Sequence, residues 1–153
     1  WWTLSRWYAG IKHGSKGPMA IRADAIERFF GSAPEFVRKL TAVMRDPATL
    51  KETGIPEFLA DLFKHADPEA VPALCADEAA ARELIAALLE AAAGGFWLYL
   101  RTGIAEFLGL IGAHPAWRDE VVAALDRLRG TEGYDLTYWC ERSIRRLKGE
   151  PEV

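Results

Sequence analysis

Apolar residues along this chain recur every three to four positions and not every second one, the period of helices with one buried face. The most apolar stretch runs from Asp77 to Gly130 and is interrupted at Gly94-Gly95 and at His114-Pro115. Before the first break Leu84, Ile85, Leu88 and Leu89 fall at helical spacing. After it Trp97, Leu100, Ile104, Phe107, Leu108 and Ile111 do the same. Two such helices on a Gly-Gly corner are expected to lie antiparallel and bury their stripes against each other. The flanking helices then have a centre to pack on.

The rest of the chain reads as shorter helices separated by recognisable start and stop signals. Ile21, Ala25, Ile26, Phe29 and Phe30 mark one side of a helix through MAIRADAIERFF, stopped by Gly31. Ser32 followed by Glu35 has the capping-box spacing, and Phe36, Val37, Leu40, Val43 and Met44 continue that helix. Asp46-Pro47 stops it and starts a short turn that Gly54 ends. Pro56 opens a helix with Phe58, Leu59, Leu62 and Phe63 inward, and Asp67-Pro68 opens a short piece broken by Pro72. Pro115 opens a helix with Trp117, Val121, Leu125 and Leu128 inward. The last helix gathers Leu136, Trp139, Cys140, Ser143, Ile144 and Leu147 on one face. No stretch alternates with a period of two over strand length. The fold is therefore expected to be all-α, a bundle of eight to ten helices around the central hairpin. PEFVRKL and PEFLADL echo each other and EFLGLI repeats their middle, but at unequal spacing, so a HEAT-like stack is the alternative architecture.

Composition changes this picture in two places. The 153 residues suit one helical body, residues 32–153, with a basic, aromatic element over residues 1–31. The longest run free of charge, Phe107 to Trp117, is well short of the roughly 20 residues of a membrane helix, so no membrane partner is expected. No signal peptide is expected either, and a chain opening on Trp1 reads as part of a longer one. Cys75 and Cys140 lie far apart in helix-like segments, which suggests a reducing, cytoplasmic setting. The net charge of −3 hides an asymmetry: residues 1–45 carry eight Lys/Arg against three Asp/Glu, and residues 46–95 carry three against ten. A basic N-terminal third on an acidic body suggests different partners for the two.

Candidate chemistry is sparse. Glu57, Asp61 and His65 share one helical face, but no Glu-x-x-His pair accompanies them, so a solvated face is expected and no metal. Cys75, Cys140, His13, His65 and His114 form no nucleophile signature, and GSKG at 14–17 lacks the glycine spacing of a phosphate loop. No enzyme activity and no cofactor are expected. Arg101, one turn beyond Trp97 in the most apolar helix, either snorkels to solvent or anchors an anionic group. The second case implies a pocket for a small apolar or anionic ligand lined by Phe58, Phe63, Trp97 and Phe107, with Tyr99 or Arg101 as polar handle. Thr102, Ala105, Gly109 and Gly112 form a stripe of small residues, which invites close approach of another helix. That helix is either the alanine-rich 79–93 segment of the same chain or the same stripe-bearing helix of a second subunit, each patch then meeting itself. Trp117 and Val121 add apolar surface at the same end, so a homodimer interface of Ala105, Gly109, Gly112, Trp117 and Val121 is expected.

The N-terminal stretch LSRWYAG resembles the recognition helix and following turn of lambda-repressor/Cro-type helix-turn-helix domains. More of the chain is similar to the tetracycline-repressor family: a basic N-terminal element, a linking helix, and a body ending ALLEAAAGGFWLYL…HPAWRDEVVAALDRLRG. Ser5-Arg6 and Gly14-Ser15-Lys16 match that family's spacing, with Gly10 and His13 where tyrosine and phenylalanine are usual. The resemblance implies a bacterial DNA-binding transcription regulator whose body senses a ligand and dimerises through its last two long helices. DNA would be met through residues 1–22. Arg6, Lys12, His13, Lys16 and Arg22 have the charge for phosphate contacts, and Ser5 with Arg6 the reach for base edges. The alternative is a non-enzymatic helical module for protein–protein interaction.

Overall fold

The computed structural model describes residues 21–131 and 134–151. Helices follow one another as α1 (Ala23–Phe30), α2 (Ala33–Met44), α3 (Pro47–Leu50) and α4 (Ile55–Lys64). A 3-10 turn at Pro68–Ala70 runs into α5 (Val71–Leu74), followed by α6 (Glu78–Ala93), α7 (Leu98–Ile111), α8 (Arg118–Leu128) and α9 (Tyr134–Leu147). No described residue lies in a strand, so the fold is an all-α bundle.

Helix starts follow local chemistry. The Ser32 hydroxyl accepts the Glu35 N–H at 3.3 Å, and the Asp46 carboxylate accepts the Thr49 N–H and hydroxyl at 3.4 and 2.7 Å. Asp77 accepts the Ala80 N–H at 3.2 Å. Each supplies a partner for amides that the first helical turn leaves without one. Pro72 sits in the first turn of α5 and does not break it, because proline lacks only an N–H that the first turn does not use. Pro115 does not open α8. The Trp117 indole N–H donates to the Ile111 carbonyl at 2.8 Å, tying the corner to the end of α7, and the helix begins only after Trp117.

Residues 94–97 join α6 to α7, and the two helices pack on each other. The larger contacts of α7 are with α4 on one side and α9 on another, while α2 lies outside on α6 and α8 on α9. Consequently every residue from Leu100 to Gly109 is buried, Arg101, Thr102 and Glu106 included. A helix enclosed on all sides explains why its apolar stripe is so broad. The large contacts of α4 with α7 and of α2 with α6 thus join helices that are not consecutive in the chain.

The small-residue stripe is used inside the chain. A Cβ on Gly109 would lie 2.7 Å from Ser143 Cβ, and one on Gly103 2.8 Å from Ala60 Cα. Glycine lets α9 and α4 approach α7 this closely, and the Ser143 hydroxyl then donates to the Ala105 carbonyl at 2.7 Å. Ala105, Gly109, Gly112, Trp117 and Val121 are all buried in the single chain. The interface expected of them is therefore an intrachain one. Gly109 meets Ser143 of α9 and Gly112 meets Val121 of α8, while Arg82 of the 79–93 segment stands over the Trp117 ring at 5.6 Å.

Candidate functional site

Of the residues expected to meet DNA, Ser5, Arg6, Lys12, His13 and Lys16 lie outside the described residues. Arg22 is at the surface, 3.4 Å from the Asp24 carboxylate.

The six residues expected to line a ligand pocket are divided between core and surface. Phe58, Phe63 and Phe107 are fully buried, with the Phe63 and Phe107 rings stacked at a centroid distance of 5.1 Å. They fill the space between α4 and α7 as packing. Arg101 does not snorkel to solvent. It is 6% exposed, and its Nε–H donates to the Ala92 carbonyl at 2.7 Å. Ala92 lies in the last turn of α6, where carbonyls lack intrahelical partners and the helix dipole favours a cation. Arg101 thus closes the end of the preceding helix, a role that becomes readable only once α6 and α7 are seen to cross at this corner.

Trp97 and Tyr99 come together at the surface. Gly94 ends α6 in an extended conformation, and Trp97 occupies the position before α7 without a side-chain cap. Its ring is left outside, 52% exposed, and is the one large hydrophobic so exposed among the described residues. It stands between two grooves. One, of about 330 Å³, has Leu50, Pro56 and Phe96 with Lys51, Glu52 and Glu57. The other, of about 420 Å³, is formed with Lys64, Tyr99, Thr102, Asp135 and Trp139. In the second groove the Lys64 ammonium sits 3.9 Å from the Tyr99 ring centre and 4.7 Å from that of Trp139, a cation–π arrangement. The Tyr99 hydroxyl donates to Asp61 at 2.7 Å, and the Trp97 and Tyr99 centroids are 5.3 Å apart. Burial holds the Lys64 ammonium below the usual lysine range, against the opposing pull of Asp61, Glu106 and Asp135. The bond to Asp61, aided by burial, raises the Tyr99 hydroxyl.

Lys64, Asp135 and Trp139 were not foreseen, because no local pattern links α4, the start of α7 and α9. Asp61 is engaged by Tyr99, and Glu57 faces the other groove. Among the described residues no group of three His, Cys, Asp or Glu side chains is placed to hold a metal ion. Both thiols are buried, which pushes Cys75 up to about 11 and Cys140 up to about 12. Glu106 is the second surprise. Its side chain is 8% exposed and its Oε1 lies 3.1 Å from Arg146 Nη2, while its Oε2 is buried without a hydrogen-bond partner. No helix among the described residues is long and apolar enough to cross a membrane. No protein-family model, no curated protein and no solved structure matches this chain.

Proposed function

We propose that this chain is a non-enzymatic helical interaction module, and that the face around Trp97 meets a protein partner. The observation that carries the reading is an exposed tryptophan standing between two grooves. Tryptophan supplies large, stiff contact area, and its energetic weight at interfaces rests on being surrounded by surfaces that exclude water. Tyr99 and Trp139 extend the platform on one side, Phe96 and Pro56 on the other. A photo-cross-linking amino acid in place of Trp97 is expected to give one discrete protein adduct in the producing cell. The same label at exposed Glu90 is expected to give none. No adduct at position 97, or equal adducts at both positions, refutes the reading.

A second reading keeps the ligand-sensing and dimerisation body of a bacterial transcription regulator, a cytoplasmic protein meeting DNA through residues 1–22. What supports it is the groove of about 420 Å³ beside Lys64, Tyr99 and Trp139, within the size range of small-molecule sites. That reading requires DNA affinity that falls steeply with salt and weakens further in the Arg6→Ala, Lys16→Ala double variant. Salt-independent binding, or none, rejects it.

A further inference from the structure

At the other end of α7 the chemistry is different. A trough of about 530 Å³ opens between α5, the end of α7 and the end of α9. Val71, Pro72, Leu110 and Leu147 make its apolar side. Arg118, Arg146 and Lys148 supply its charge, and no carboxylate lines it. The chain as a whole is acidic, at −3, so three cations on one small surface are not a reflection of composition.

The three cations have unequal structural justification. Lys148 and Arg146 lie at the end of α9, where helix carbonyls favour positive charge. Arg118 does not fit that account: it is the first residue of α8, the end at which the helix dipole disfavours a cation. Three surface arginines pair with carboxylates, Arg38 with Glu35 and Arg45 with Glu83, each at 2.6 Å, and Arg129 with Asp126 at 2.7 Å, whereas exposed Arg28, Arg82, Arg127 and Arg145 form no such pair among the described residues. Arg118 and Lys148 are exposed and have no such partner among the described residues. Arg146 is held from within by Glu106, whose charge offsets its own. Within the trough the charge without a carboxylate in direct contact is that of Arg118 and Lys148, beside an apolar wall, and the same two residues border a neighbouring groove that contains Asp119 and Asp126.

We infer that this trough binds a monocarboxylate carrying an apolar tail. The planar head matches guanidinium groups that donate in parallel pairs, the tail covers Leu110, Leu147 and Val71, and the volume is that of a small-molecule site. Residue Glu106 acts as a positioning residue, keeping the Arg146 guanidinium at the trough floor. The site is independent of the Trp97 face. The two lie at opposite ends of a 14-residue helix, separated by about 20 Å along its axis.

Calorimetric titration with sodium decanoate tests this. Saturable one-to-one binding is expected, with none for decylammonium, which has the same tail and the opposite charge. Arg118→Ala with Lys148→Ala, both exposed positions, should weaken decanoate by at least about tenfold while leaving the circular dichroism spectrum unchanged. Leu110→Glu should abolish binding by placing a carboxylate in the trough. Trp97→Ala should leave decanoate affinity as it was, so that failure here and failure at the Trp97 face are separate results. Absent binding, equal binding of decylammonium, or an unaffected double variant overturns the assignment.

Discussion

Gly109→Ala sets helix propensity against packing, and the structure says which wins. In an open helix the change would stabilise by about 1 kcal/mol. Here the added Cβ would sit 2.7 Å from Ser143 Cβ and 3.1 Å from Ser143 Cα. A rotamer change of Ser143 moves neither atom, so α7 and α9 must separate. Overpacking of this kind costs about 1–3 kcal/mol. Separation also lengthens the 2.7 Å bond from the Ser143 hydroxyl to the Ala105 carbonyl, worth about 1 kcal/mol. The net expectation is destabilisation by about 1–3 kcal/mol, or roughly 2–4 °C in Tm for each kcal/mol at this chain size. Thermal and urea unfolding followed by circular dichroism measure it. In a Ser143→Gly background the Cβ contact is gone and only the 3.1 Å approach to the Cα of residue 143 remains, so Gly109→Ala should cost clearly less than in the wild-type background. A rise in Tm in the wild-type background would refute the close approach of α7 and α9. A folded Gly109→Leu variant sedimenting at half the wild-type mass would return the stripe to a two-fold interface.

Arg146→Met strands the buried Glu106 carboxylate and should cost about 3–5 kcal/mol in urea unfolding, whereas adding Glu106→Leu should recover most of that loss. Burial keeps both thiols protonated in the folded chain, while the unfolded chain releases those protons from the ordinary value of 9.0 upward. Stability should thus be insensitive to these groups below about pH 9 and fall as pH rises toward about 11 for Cys75 and about 12 for Cys140. The urea midpoint at successive alkaline pH values, compared with that of a Cys75→Ala, Cys140→Ala chain, measures the difference. Trp97→Ala should change the urea midpoint by less than about 0.5 kcal/mol equivalent, because the ring is half exposed. A larger loss would make Trp97 a structural residue and not a contact one.

What the amino-acid sequence determines by itself is what lies within one turn of helix. Ser32, Asp46 and Asp77 each bind an amide three residues on, so those helix starts follow from neighbours in the chain. The 3.6 period of apolar residues likewise specifies the α class without a partner in view. Burial is a different matter. Trp97 and Trp117 each stand immediately before a helix, and one ring is half exposed while the other is 2% exposed. The difference comes from the Ile111 carbonyl and from the helices that arrive over Trp117. Arg101 finds its acceptor on α6, Gly109 its neighbour on α9, and Glu106 its partner Arg146 on α9 as well. Each of these contacts joins helices that only packing brings together. A small residue or a buried charge announces in sequence that something approaches it. What approaches is decided by the tertiary structure, because desolvation and close packing act on whichever surfaces the whole chain brings into contact.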